Sequence, residues 1–211
     1  MEATRLIAIR HGETAWNVDT RIQGQLDIKL NDTGLWQARR VAHALRDQPV
    51  AAIYASDLAR AWQTALEIGR PHRLEVRAEP GLRERAFGQF EGRTFADINA
   101  ALPDQARLWR TRDPEFAPEG GESLLTFRER VTTAAARVAA NHPGELVVIV
   151  AHGGVMDVLY RAATGQELQA PRTWQLGNAA INRLLWTPQG FTLIGWSDTG
   201  HLDDTLDEAT A

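Results

Sequence analysis

An α/β fold with a mostly parallel sheet and helices on both faces follows from three observations. Short runs rich in Ile, Val and Leu alternate with segments of helical period along the 211 residues. The run at 146–151, LVVIVA, is apolar throughout, as a strand covered on both faces must be. Strands that alternate with helices build βαβ units, which impose parallel pairing.

The elements are expected in this order. A first strand at 5–9 leads to the turn residues Asn31-Asp32 and a helix with Leu35, Ala38, Ala42 and Leu45 on one face. A second strand at 51–55 precedes a helix presenting Leu58, Ala61, Ala65 and Ile68. Ser56 or Asp57 is its expected N-cap and Gly69 its C-terminal stop. A third strand falls at 74–78. Residues 79–122 carry little strand signal and exceed an ordinary loop, so short helices at about 94–101 and 104–110 are expected over one end of the sheet. Ser123 opens a longer helix with Leu124, Phe127, Val131, Ala134 and Val138 on one stripe. The strand at 146–151 and a helix from near Gly154 follow. Strands at 180–186 and 190–196 turn through Pro188-Gln189-Gly190 as a hairpin, so at least one strand is antiparallel. Nothing marks a second domain; the reading is one domain over 1–211 with a helical cap inserted at about 93–118. The acidic tail after about Trp196 is expected to be poorly ordered.

Composition narrows the function. Apolar residues make up 44% and charged residues 24%, ordinary for a globular protein. A net charge of −4 supplies no basic field for nucleic acid or an anionic membrane. The absence of Cys excludes disulfides, thiolate nucleophiles and Cys-ligated metal. The N-terminal apolar stretch is too short for a signal-peptide core and no run approaches a membrane span, so a cytoplasmic protein is expected. Trp residues near the C-terminal hairpin, read as exposed, point to a homodimer.

In open α/β sheets ligands bind beyond the carboxyl ends of parallel strands. Four polar clusters stand at such ends. Arg10-His11-Gly12 follows the first strand, and Ser56-Asp57 with Arg60 the second. Glu84, in LRERAFGQFEG, comes after the third, and His152-Gly153-Gly154 follows the fourth. Each residue alone has an ordinary reading: a hydrogen-bonding His, a solvated Arg, a surface Glu. His43, His72, His142 and His201 keep a surface reading. The convergence on one sheet edge gives His11 and His152 more. Arg forks match phosphate oxygens, helix N-termini favour anions, and glycines let backbone approach a ligand. A neutral imidazole is a competent nucleophile toward phosphorus. The set therefore reads as phosphoryl transfer through a His nucleophile, with no metal.

The stretch LIAIRHGETAWN (6–17) resembles the signature of the histidine phosphatase superfamily, the phosphoglycerate-mutase-like proteins. The likeness continues in TRIQGQLDIKLNDTG, SDLARAWQTA, LRERAFGQFEG, PEGGES and VIVAHGG, in the family's order, over roughly 5–155. The resemblance implies a three-layer α/β/α sandwich on a six-stranded sheet with one antiparallel strand and a small helical insertion over the active site. It implies His11 as the transiently phosphorylated nucleophile and Arg10, Arg60 and His152 as a phosphate clamp. His152 is taken as cationic. Asn17, Gln23 and Gly153 join the phosphate site. Glu84 becomes the proton donor to the leaving oxygen and later the base for water, with Asp57 or Glu13 next in line.

The family holds both mutases and phosphatases. The mutases have a longer segment after the Glu-bearing loop, a Lys early in it, and a Trp-Arg-Arg run. Here the segment Arg93–Pro118 is short, Phe95 takes the Lys position, and Trp109-Arg110 is followed by Thr111. Phe87, Phe90 and Phe95 suggest an apolar mouth. Arg107, Arg110 and Arg112 are either contacts to an anionic substrate tail or a solvated helix face. The favoured reading is a metal-independent phosphatase acting on a small phosphorylated metabolite, without cofactor. Phosphoglycerate mutase is the alternative, with 2,3-bisphosphoglycerate as its cofactor. A non-catalytic phospholigand-binding module is opposed by the presence of all five reactive residues. A metal hydrolase is opposed by the lack of any His-x-His or His-x₃-His pair.

Overall fold

The computed structural model describes residues 2–203. The chain runs through β1 (Thr4–Arg10), α1 (Ala15–Val18), α2 (Asp32–Leu45), β2 (Val50–Ala55), α3 (Ala59–His72) and β3 (Val76–Ala78). Then come α4 (Phe95–Ala101), α5 (Pro103–Arg110), α6 (Leu124–Ala140), β4 (Leu146–Ala151), α7 (Gly153–Thr164), β5 (Ile181–Thr187) and β6 (Gly190–Asp198). The sheet order is β3-β2-β4-β1-β5-β6. β1 to β4 pair in parallel, whereas β5 pairs antiparallel with both β1 and β6, so β5 alone opposes the other five.

Alternation along the central strands divides the core into two layers. Leu6, Ala8, Val147 and Ile149 face α6 and α7 through Phe127, Val131, Val155 and Leu159. Ile7, Ile9, Val148 and Val150 face α2 and α3 through Val41, Leu45, Ala61 and Ile68. This is the expected three-layer sandwich. A third cluster, Phe90, Ile98 and Ala106, centres the α4–α5 segment, with Trp109 and Phe116 packed on it. Burial of Phe90 alone contributes about 1.5–3 kcal/mol to holding that segment together.

Register is what builds the site. β1 and β4 lie side by side with Arg10 opposite Ala151. His11 N–H then donates to Ala151 O at 2.9 Å, so His11 and His152 leave the sheet as neighbours. On the other side of β4, Ser56 N–H donates to Val150 O at 3.0 Å, ending β2 at the same level.

Several local expectations are corrected. Neither Ser56 nor Asp57 caps α3, because Ser56 turns to His152 and Asp57 to Arg83. Leu58 stands at the N-cap, and the Ala59 N–H is met by Asp27 Oδ1, 2.6 Å away on a distant loop. Gly69 does not stop α3, which runs on to His72 and ends at Arg73 in the left-handed region. Gly69 is needed for space, since a Cβ there would lie 2.8 Å from Leu74 O. His142 is buried, bonded to Glu145 and Tyr54, and not a surface residue. Trp186 and Trp196 are half-buried and pack against the core, where full exposure was expected. The chain stays structured past Trp196. A 3-10 turn at Gly200–Leu202 is held to α2 by Arg40, and 204–211 lie outside the described residues. No helix among the described residues is long and apolar enough to cross a membrane.

Candidate active site

A cavity of about 180 Å³ opens beyond the carboxyl ends of β1 and β4. Arg10, His11, Asn17, Gln23, Arg60, Glu84 and Gly153 all line it. His152 stands behind, fully buried, its ring 5.3 Å from that of His11 and edge-on. The structure thus brings together the residues expected to act on or bind the phosphate.

The His11 tautomer follows from its partner. Nδ1 lies 2.6 Å from Gly12 O, and a carbonyl can only accept, so Nδ1 carries the proton. Nε2 keeps its lone pair. Burial, then Arg60 and Arg10, hold the imidazole well below its ordinary pKa, so it is neutral at pH 7. A buried, oriented and unprotonated nitrogen is what a nucleophile requires. Gly12 is constrained by its surroundings: a Cβ would lie 2.4 Å from Gly34 O.

The cations are held by backbone. Arg60 Nη1 donates to Leu26 O at 2.8 Å and Nη2 to Gly24 O at 2.7 Å. Arg10 Nη1 donates to Leu176 O. The Nε atoms of both are buried without a partner among the described residues. Burial lowers Arg60 to about 10, against Glu84 and Asp27, so it stays charged. His152 departs from the expected cation. Burial, then Arg60, His11 and Arg10, keep it neutral. Its Nε2 pairs with Ser56 Oγ at 2.8 Å, and Nδ1 is unpartnered among the described residues.

Asn17 Oδ1 accepts from Thr14 N, Thr14 Oγ1 and Asn178 Nδ2. Asn178 also donates to His11 O at 2.9 Å. Gln23 Oε1 is buried and unpartnered.

Glu84 reaches the cavity from the loop after β3. Its Oε1 accepts Arg85 N–H at 2.8 Å and its Oε2 accepts Gly154 N–H at 3.0 Å, at the N-terminus of α7. Each oxygen keeps a second lone pair for a proton. The loop is braced by Glu122, which receives both forks of Arg130 at 2.8 and 2.7 Å and Ala86 N–H at 2.8 Å. Burial opposes ionisation of Glu122, but these bonds outweigh it and hold the carboxyl below its usual range. Glu91 Oε1 ties the loop to the Gly24 turn, accepting from Gln25 N and Phe87 N. The substitute acids fit less well. Asp57 is gripped by Arg83, which holds it below the carboxylate range, and Glu13 bonds Asn31.

A second cavity of about 420 Å³ adjoins the first and shares Arg10, Glu84, Phe87 and Gly153 with it. Trp109, Leu124, Phe127 and Leu176 supply apolar wall. Of the aromatic residues expected at the mouth, only Phe87 is there. Phe90 is fully buried, and Phe95 packs on Trp109 and lines neither cavity. Arg107 and Arg110 are exposed and line neither; Arg112 lines the second but pairs with Asp157 at 2.7 Å. Among the described residues no group of three or more His, Asp and Glu could hold a metal ion.

Sequence reading placed Ser56 in a polar cluster without giving it a role, and missed Thr64, Asn178, Glu91, Glu122, Arg130 and Arg172. Ser56 had a signal, its position at a strand end. Thr64, which accepts Gly12 N–H at 3.1 Å, sits on the expected α3 face between apolar positions. Asn178 had none, being an unpatterned loop residue.

The comparisons agree with this geometry. A family model described as "Histidine phosphatase superfamily (branch 1)" matches residues 6–199. Phosphoglycerate mutase-like protein 4 of Arabidopsis thaliana is 36% identical over 209 residues, 97% of this chain and 90% of that protein. The metal-independent phosphoserine phosphatase of the same plant is 36% identical over 207 residues, 95% of this chain and 84% of that protein. A mycobacterial glucosyl-3-phosphoglycerate phosphatase, solved with VO3, superposes with a TM-score of 0.81 at 34% identity, over 92% of this chain and 99% of that one.

Proposed function

The chain is an enzyme of the histidine phosphatase superfamily, branch 1, and from that premise we propose that it hydrolyses a small phosphomonoester through a phosphohistidine on His11. The observation that carries this reading is His11 Nε2: unprotonated, buried, and facing one cavity with Arg10, Arg60 and Glu84.

The steps balance. His11 Nε2 attacks phosphorus while the bond to the ester oxygen breaks, and Glu84 gives that oxygen its proton. Arg10, Arg60 and the α7 N-terminus stabilise charge on the phosphoryl oxygens. The alcohol leaves, Glu84 as carboxylate takes a proton from water, and the resulting hydroxide attacks phosphorus. The N–P bond breaks and orthophosphate departs. His152 Nδ1, unpartnered and able to carry the proton, fits as a donor to a phosphoryl oxygen when Ser56 donates to its Nε2. Positive charge comes from guanidinium groups and backbone, so no metal and no organic cofactor take part. Hydrolysis is favoured over mutase activity because the segment Arg93–Pro118 is short and Phe95 and Thr111 stand where the mutases have a Lys and a second Arg.

Incubation with a ³²P-labelled phosphoester and alkaline quenching is expected to leave acid-labile label on the wild type and none on His11→Ala. Label retained by His11→Ala would refute the assignment. Activity is expected to survive exhaustive EDTA treatment. Conversion of 3-phosphoglycerate to its 2-isomer faster than release of phosphate, in the presence of 2,3-bisphosphoglycerate, would replace hydrolysis by the mutase reading.

A further inference from the structure

We propose that Arg172 is the specificity-determining residue of the second cavity, selecting phosphomonoesters whose alcohol portion carries a second anionic group. The inference deepens the proposed function and rests on it, because it places the reacting phosphate against His11.

The second cavity shares Arg10, Glu84, Phe87 and Gly153 with the phosphate cavity, so the alcohol portion of a bound ester extends into it. Four guanidinium groups line it, Arg10, Arg85, Arg112 and Arg172, against two carboxylates, Glu84 and Asp157. Three of the four are engaged. Arg10 is fixed to Leu176 O beside the phosphate cavity. Arg85 donates to Glu122 O at 2.8 Å and Phe116 O at 2.9 Å. Arg112 donates to Leu168 O at 2.6 Å and to Asp157 Oδ2 at 2.7 Å. Arg172 has no hydrogen bond or ion pair among the described residues. Asp157 Oδ2 is already shared by Arg112 and Arg161, while its Oδ1 is buried and has no partner, Arg172 included, among the described residues.

The backbone that leads to Arg172 is held in place. The loop before it is held by Arg161, which donates to Glu167 O and to Ala170 O at 2.9 Å, and by Arg112 at Leu168 O. Those bonds present an unpaired cation to two others. Burial is the main cause that lowers the pKa of Arg10 and of Arg112, and the charge of Arg172 adds a smaller repulsion to both, which a bound anion would relieve. The opposite wall is apolar, with Phe87, Trp109 and Leu124. Arg172 itself is exposed, so solvent screens part of its attraction for an anion bound in the cavity. A carboxylate and a second phosphate share the required chemistry.

Calorimetry on the His11→Ala protein reads this without turnover. The ligands are 3-phosphoglycerate, glycerol 1,3-bisphosphate and glycerol 3-phosphate, which differ in carrying a carboxylate, a second phosphate or a hydroxymethyl group. The two anionic ligands are expected to bind about tenfold or more tighter than glycerol 3-phosphate, the range of one charge-assisted bond. Adding Arg172→Gln is expected to erase that preference, and Arg172→Lys to keep part of it. Tight binding of one anionic ligand only would support the proposal and identify the group. Equal binding of all three, no binding, or an equal loss for all three in Arg172→Gln would overturn it. A wild-type protein that discriminates among these ligands yet releases no phosphate from p-nitrophenyl phosphate would instead overturn the phosphatase reading.

Discussion

The phosphate cavity and the second cavity touch through four shared residues, yet they are held in different ways. In the first, His11 and His152 leave adjacent parallel strands whose register sets their separation, and Arg60 is locked by two carbonyl oxygens. In the second, Arg112, Arg172 and Leu176 come from connecting segments, and Trp109 from a short helix. Of the groups that act on phosphorus, common to every substrate, Arg10, His11 and His152 are fixed by the sheet, and Arg60 by α3 and two loop carbonyls. The groups that meet the variable alcohol sit on loops that can change without disturbing the sheet.

The largest expected effects fall on the sheet-anchored side. His11→Ala should lower kcat on any phosphoester by more than about 10⁴-fold, because no second imidazole, hydroxyl or amine lines the cavity. Rates on p-nitrophenyl phosphate and on glycerol 3-phosphate should fall together. A variant that kept activity on one of them would break the division between shared chemistry and variable recognition.

Next come Glu84 and Gly154, at the junction of the two cavities. A Cβ on Gly154 would lie 2.2 Å from Glu84 Oε1 and 3.1 Å from Phe127. Because the near atom ends a flexible side chain, Gly154→Ala should fold and push the carboxyl aside. Its single-turnover phosphorylation by alkyl phosphates should drop about 10²–10⁴-fold, the span of general acid catalysis. Glu84→Gln should match it. Both should spare p-nitrophenyl phosphate, whose leaving group departs without a proton. Equal losses on the two substrate classes would remove Glu84 from the acid role.

The two buried imidazoles predict a pH effect. His11 and His152 have folded pKa values below their unfolded value near 6.5. Below that pH the unfolded chain takes up protons that the folded chain refuses. Stability is therefore lost as pH falls from about 6.5 toward the folded values, by at most about 1.4 kcal/mol per pH unit for each His. Partly buried His201 is lowered too and adds in the same direction. Urea unfolding at pH 7.5 and 5.5 should show His152→Gln less pH-sensitive than the wild type. Activity should show no acid limb near pH 6.5 from His11, and Arg60→Ala, by removing a nearby cation, should raise the pH at which that limb appears.

The same contrast explains what could be read from the sequence. Arg10, His11, Arg60 and His152 were legible because each follows an apolar strand, and parallel strands share a carboxyl edge. Asn178 and Arg172 were not, because loop residues carry no period. The cap of α3 failed for a related reason: local propensity offered Ser56 and Asp57, but tertiary partners took both and Asp27 supplied the bond from far away. His142 misled because its burial depends on Tyr54, on a strand distant in sequence.

The smallest expected effect tests how firmly the loop side is tied. Arg112 is in the left-handed region, φ +55°, and joins Asp157 on α7 to Leu168 O across the second cavity. Its side chain is 25% exposed, so the pair is partly screened. Asp157 retains Arg161 at 3.0 Å if Arg112 is removed, which leaves no unpaired buried charge. Arg112→Gln should therefore cost only about 1–2 kcal/mol, a fall in Tm of about 2–8 °C for a chain of this size. Asp157→Asn should cost more, because Arg161, fully buried, then loses its only carboxylate among the described residues. In a double-mutant cycle the two changes should couple by at least about 0.5 kcal/mol. Strict additivity would mean that the Arg112–Asp157 contact does not hold the loop, and that Arg161 alone positions it.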